Sequence, residues 1–155
     1  MIKIKNVMTK DVFTTSKESR IVEAAKLMAS KSVSGLVVVD ENVPIGVVSE
    51  NDVVRGFVNG SKRIGDVMSR DFVTISPYSR FSDILIFVGE KKIKRFPVVE
   101  NGHLVGLVTE SDIIESMRDI TRYHEFTQDM ILTVFGLATA FFLFYSSPLG
   151  MLFFG

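Results

Sequence analysis

Cysteine is absent from this chain of 155 residues, and histidine occurs only twice. The first absence excludes a disulfide framework and thiolate metal sites, and it agrees with a reducing compartment. His103 and His124 stand too far apart for metal-ligand spacing, and no nucleophile–histidine–acid set is recognisable around them. A surplus of one charge is missing too. Eighteen Lys and Arg balance 18 Asp and Glu, which removes the basic excess that nucleic-acid binding usually shows. The opening MIKIKNVMTK interleaves lysine with isoleucine and lacks the apolar segment of a signal peptide. The reading is a non-enzyme without metal or nucleic acid, with room for one ordinary domain or two small ones.

One absence is local. Every Lys and Arg precedes residue 123, Asp129 is the only charge after Glu125, and residues 130–154 carry none. A bilayer core takes around twenty apolar residues of helix. Gly136 and Ala140 give a small-xxx-small spacing that permits close helix approach, and Arg118 and Arg122 flank the near side. Ser146, Ser147, Pro148 and Gly150 interrupt the far end. Residues 126–155 are therefore expected to be a hydrophobic tail that contacts a membrane through residues 130–154 and holds the rest of the chain on the cytoplasmic side. A helix buried in the protein or in a dimer, and the start of a longer membrane protein, are the other readings.

What the chain does have is a sentence written twice. GVVSENDVV at 46–54 returns as GLVTESDII at 106–114, and VMT at 7–9 returns as VMS at 67–69, each sixty positions on. Such a repeat fixes the architecture before any single residue does. Each copy reads as a short strand (12–15; 72–75), a helix after Ser19 or Ser79, an apolar strand (36–39; 96–99), a turn, another strand (45–48; 105–108) and a helix from about Asn51 or Ser111. Ile21, Ala25 and Met28, or Ile84, Phe87 and Val88, supply the apolar face of the first helix. The Asn101-Gly102 turn is the stronger of the two, because glycine accepts positive φ. The fold class is α/β in the α+β sense: two β-α-β-β-α repeats at 2–58 and 64–120, joined by a linker at 59–63.

Two explanations serve SEND and TESD. Ser49 with Asp52, and Thr109 with Asp112, have capping-box spacing, each cap contact being worth about 1 kcal/mol. The same helix start offers backbone N–H groups to a phosphate and a carboxylate to a ribose. The cluster EKKIKR at 90–95 reads as a solvated helix end or as a source of phosphate or lipid contacts.

The ordered set of VMT and VMS, VVVD and FPVVE, and the two G-h-h-[ST]-E-x-D segments resembles a tandem pair of CBS (cystathionine-β-synthase) domains, a Bateman module. The resemblance covers about residues 2–120, leaves out the tail, and implies pseudo-two-fold packing of the repeats. It implies a regulatory module that binds an adenine nucleotide or another adenosyl compound, such as AMP, ATP or S-adenosylmethionine, in clefts between repeats, with no required cofactor and with a homodimer as the assembly. It places Asp112 and Thr109 at one ribose, and Asp52 and Ser49 at the other. It places Arg95 at phosphate, Pro97 and Val37 beside the base, and Thr15, Ser16, Thr74 and Ile75 along the base pocket. Gly35 and Val37 depart from the pattern where repeat two has Arg95 and Pro97, so the Asp112 site is expected to be the stronger. The alternative is a structural assembly module without a nucleotide ligand, in which the aspartates only cap helices.

Overall fold

The computed structural model describes residues 2–84, 87 and 93–145, with the side chains of 119–126 and 144–145 left aside. By Cα proximity the chain divides into a unit of Met1–Ile113, which holds both repeats as far as the start of their last helix, and a unit of Ile114–Gly155.

In repeat one, β1 (Thr14–Thr15) runs parallel to β2 (Gly35–Asp40), and β2 pairs antiparallel with β3 (Val43–Ser49). Helix α1 (Ile21–Lys31) links β1 to β2, and α2 (Glu50–Val58) follows β3. In repeat two, β4 (Arg95–Glu100) and β5 (His103–Thr109) form the matching hairpin, residues 81–84 are helical, and α3 (Glu110–Tyr145) follows β5. The first strand of repeat two shrinks to one parallel bridge, Ile75 to Val98.

The duplication extends to detail. Both hairpins carry a register shift at the same place, between Val38 and Val39 and between Val98 and Val99. Both turns use two positive-φ residues, Glu41-Asn42 and Asn101-Gly102, the twist that suits a tight hairpin. The helix after Ser19 is capped differently from expectation: the N-cap of α1 is Arg20, whose N–H reaches the Glu23 carboxylate at 3.1 Å. Ser19 Oγ instead accepts from Ser16 N at 3.3 Å. On α1 it is Ile21, Ala24 and Met28 that bury, with Ala25 at the margin. Ile84 buries in repeat two and Phe87 packs against it, while Val88 lies outside the described residues.

The two cores exchange their first segments. Ile21, Met28, Leu36, Val38, Val48 and Val53 of repeat one close over Ile64, which belongs to the start of repeat two. Phe81, Ile84, Phe96, Val98, Val108 and Ile113 close over Ile4. The backbone repeats the exchange. Thr9 and Leu107 bond to each other in both directions at 2.9 Å, and Val47 and Ser69 do the same at 3.0 and 2.8 Å. Two short 3-10 turns, Ile4–Asn6 and Ile64–Asp66, carry these segments in. The linker at 59–63 thus joins sequence repeats, whereas each folded core draws on both. Glycine makes the crossing possible: a Cβ on Gly106 would lie 2.6 Å from Met8 Sδ and 3.1 Å from Thr9 O. Gly106→Ala is expected to destabilise the protein by about 1–3 kcal/mol through overpacking, as read by urea unfolding. An unchanged midpoint would show that Met8 can move away at no cost.

Helix α2 stops at Val58, where Asn59 and the positive-φ Gly60 close it. No glycine stands between Glu110 and Tyr145 except Gly136, and α3 continues through 36 residues. Its described positions from 128 to 143 are all exposed, among them Leu132, Phe135, Phe141 and Phe142. The membrane span expected of residues 130–154 is not found: among the described residues, no helix is long and apolar enough to cross a membrane. Residues 146–155, with the interruptions expected there, lie outside the described residues.

Candidate functional site

A cavity of about 390 Å³ opens between the repeats, within the size range of small-molecule sites. Repeat two supplies the start of α3, from Thr109 to Asp112, together with Lys94 and Arg95. Repeat one supplies Thr9, Asp11 to Phe13, and Ser32 to Gly35. This mixture follows from the exchange of segments, because the Thr9–Leu107 pairing lays the start of repeat one beside the helix start of repeat two.

At that helix start a reciprocal cap forms. Thr109 donates to Asp112 Oδ2 through its backbone N at 2.8 Å and its Oγ1 at 2.7 Å, and Asp112 N reaches Thr109 Oγ1 at 3.4 Å. Asp112 Oδ1 takes no hydrogen bond from the described residues. The acceptor therefore stands in a cavity wall with capacity to spare.

The same cap in repeat one is fully used. Ser49 donates to Asp52 Oδ2 from N at 2.9 Å and from Oγ at 2.5 Å. Arg55, one turn on, takes Asp52 Oδ1 in an ion pair. Burial pushes the Asp52 carboxyl up, but the hydrogen bonds from Ser49 and Arg55 outweigh it and hold the group below its usual 3.8. A folded-state value below the unfolded one gives stability that is present above the unfolded value and is lost as pH falls through the folded one. Asp52→Asn is therefore expected to cost about 1 kcal/mol at neutral pH. The difference from wild type should shrink as pH drops below the ordinary carboxylate range, which urea unfolding at neutral pH and near pH 3 checks. An equal cost at both pH values would contradict the assignment.

Arg95 crosses between the repeats. Its guanidinium donates to Ser34 O at 2.6 Å and to Ser34 Oγ at 2.7 Å. A Cβ at Gly35 would lie 2.5 Å from Arg95 Nε, so the missing side chain of repeat one is what gives the arginine its seat. Burial lowers the Arg95 pKa against the opposing pull of Asp52 and Glu50. Among the described residues, the other cation in the cavity wall, Lys94, pairs with Glu110 at 3.6 Å. Among the described residues, Arg95 has no carboxylate at ion-pair distance.

The remaining sequence candidates fall elsewhere. Pro97 and Val37 have fully buried side chains and do not line this cavity. They sit at strand centres, where both faces of the strand are covered. Thr15 is half-buried in β1 beside Val38, and Ser16 caps a turn through Glu18 N. Ile75 exchanges backbone bonds with Pro97 O at 3.0 Å and Val99 N at 2.9 Å, and Thr74 is exposed next to it. Of EKKIKR, residues 90–92 lie outside the described residues. Sequence reading missed Thr9, Asp11 and the loop residues Ser32, Val33 and Ser34 as parts of this wall. A signal was present in the repeated T-K-D-V and S-R-D-F that begin at the last residue of VMT and VMS. Among the described residues, no group of His, Asp and Glu side chains could hold a metal ion.

Two repeats with exchanged segments and a cavity between them define a tandem-repeat module, and comparison with known proteins gives the class a name. The chain matches the CBS domain over residues 4–59 and again over 64–119, and it belongs to that family. An uncharacterized protein of Methanocaldococcus jannaschii, MJ1232, is 34% identical over 115 residues, which is 74% of this chain and 39% of that protein. The inosine-5'-monophosphate dehydrogenase of Thermoplasma acidophilum is 35% identical over 109 residues, 70% of this chain but 22% of the enzyme. The CBS domain-containing protein YhcV of Bacillus subtilis is 30% identical over 117 residues, covering 73% of this chain and 84% of YhcV. The chain thus spans well under half the length of the first two relatives. Among solved structures, the CBS domain pair of protein MJ0100, in complex with 5'-methylthioadenosine and S-adenosyl-L-methionine, superposes with a TM-score of 0.72 at 24% identity, over 77% of this chain and 98% of that one. CBSX2 in complex with AMP gives 0.71 at 24% identity, over 78% and 99%. At that identity both show the fold alone.

Proposed function

We propose that this chain is a regulatory module that binds an adenine nucleotide or another adenosyl compound in the cleft between its CBS repeats. The observation that carries the reading is the open Oδ1 of Asp112, set in the cavity wall at a helix start. A carboxylate held in place by one of its oxygens can accept from a ribose hydroxyl with the other. The helix N-terminus adds a partial positive charge, and Arg95, which has no carboxylate at ion-pair distance among the described residues, adds a guanidinium for an anionic group. The ligands bound by the MJ0100 pair and by CBSX2 belong to the same chemical class. Ligand binding would then act by favouring one packing of the two repeats over another, which requires unequal affinity for the two states. A homodimer belongs to the same reading, and sedimentation of the full chain should return two chains per particle.

Thermal unfolding of the full chain with AMP, ATP, adenosine and S-adenosyl-L-methionine tests the assignment. A ligand present at a hundred times its Kd stabilises by about 2.7 kcal/mol. At least one of the four should raise the midpoint. If none does, the assembly reading takes its place, in which Ser49–Asp52 and Thr109–Asp112 serve as helix caps and nothing more. The fully engaged Asp52 already fits that description.

A further inference from the structure

The two repeats differ at matched positions sixty residues apart. Gly35 stands where repeat two has Arg95, and Arg55 stands where repeat two has Glu115. The first exchange is steric: the seat over Gly35 is filled by Arg95, reaching in from the other repeat to Ser34. The second is electrostatic. Arg55 occupies the Asp52 oxygen whose counterpart on Asp112 is open. A glutamate at 115 has no donor with which to occupy Asp112 in that way.

We propose that the module is single-sited: the Asp112 cleft takes the adenosyl ligand, and the Arg55–Asp52 ion pair closes the matching position of repeat one. The inference rests on the adenosyl reading above and goes beyond it, since the sequence ranks the two sites but does not give the reason one of them would be closed. Both ribose hydroxyls need acceptors. Among the described residues Asp112 keeps one oxygen without a hydrogen bond, whereas Asp52 could accept a hydroxyl only by losing its guanidinium partner.

Isothermal titration of the full chain with AMP, and separately with S-adenosyl-L-methionine, reads the number of sites. One ligand per chain is expected for the wild type. Asp112→Asn should weaken binding on the order of tenfold to a hundredfold, the worth of a hydrogen bond to a charged acceptor. Asp52→Asn should leave both stoichiometry and Kd in place. Arg55→Ala, which suits a helix interior, should open the Asp52 oxygen and raise the number of sites from one to two. Two sites in the wild type, or loss of binding in Asp52→Asn with Asp112→Asn unaffected, would overturn the inference while leaving the adenosyl reading intact. A count that stays at one in Arg55→Ala would remove Arg55 from the explanation. Heat from neither ligand in the wild type would overturn the adenosyl reading itself. Midpoints of each variant without ligand separate weak binding from poor folding.

Discussion

Phe96→Ala is expected to cost about 3–5 kcal/mol, the range for removing a fully buried phenyl ring from a core. The ring is completely buried among Phe81, Ile84, Val98, Val108 and Ile113 of its own repeat and Ile4 of the other. Domains of this size are stable by about 5–15 kcal/mol, so the loss takes a large share of the total. Because Ile4 sits in this cluster and Ile64 sits in the other, the damage should not stay within one repeat. Urea unfolding followed by circular dichroism should show one transition at a lower midpoint, with repeat one melting together with repeat two. A variant that lost repeat two while keeping a separate transition for repeat one would contradict the exchanged cores.

Asp112→Asn is expected to erase most of the ligand-induced stabilisation and little of the rest. At a ligand concentration a hundred times the wild-type Kd, a hundredfold rise in Kd would reduce the gain from about 2.7 to about 0.4 kcal/mol. Loss of the cap itself costs about 1 kcal/mol and is present without ligand. The informative quantity is therefore the difference between midpoints with and without ligand, measured for the same variant. An undiminished difference would take Asp112 out of the binding site and leave it as a cap. The matched change at Asp52 makes the comparison sharp, since both residues cap a helix by the same geometry.

The repeat was legible because its signals are local. Alternating apolar residues, the Asn101-Gly102 turn and the hydroxyl–x–x–Asp spacing each act within a few residues, and the structure has its hairpins and helix starts within a residue or two of where these signals put them. The caps of Ser49 and Thr109 form as the spacing required. The pairing of site residues was not legible, because it depends on contacts about sixty residues or more apart. By the family resemblance Arg95 and Pro97 read as partners of Asp112. In the folded chain Arg95 does line the Asp112 cavity, reaching Ser34 of the other repeat, whereas Pro97 lies in a buried strand outside it. Gly35 read as a missing phosphate contact, and it proves to be the space that an arginine from the other repeat requires.

The tail shows the same division. Its lack of charge is a fact of sequence, and the membrane span expected from it is absent among the described residues. By itself, then, the sequence determined two like units, each with a β-hairpin followed by a capped helix start, because backbone propensity and capping are settled between near neighbours. Only the tertiary structure decided that each unit completes the other's core, which residues meet across the cleft, and which aspartate keeps an oxygen free. Those outcomes follow from side chains brought together by burial of apolar surface, a force with no direction of its own, so steric fit at places such as Gly35 and Gly106 fixes the arrangement.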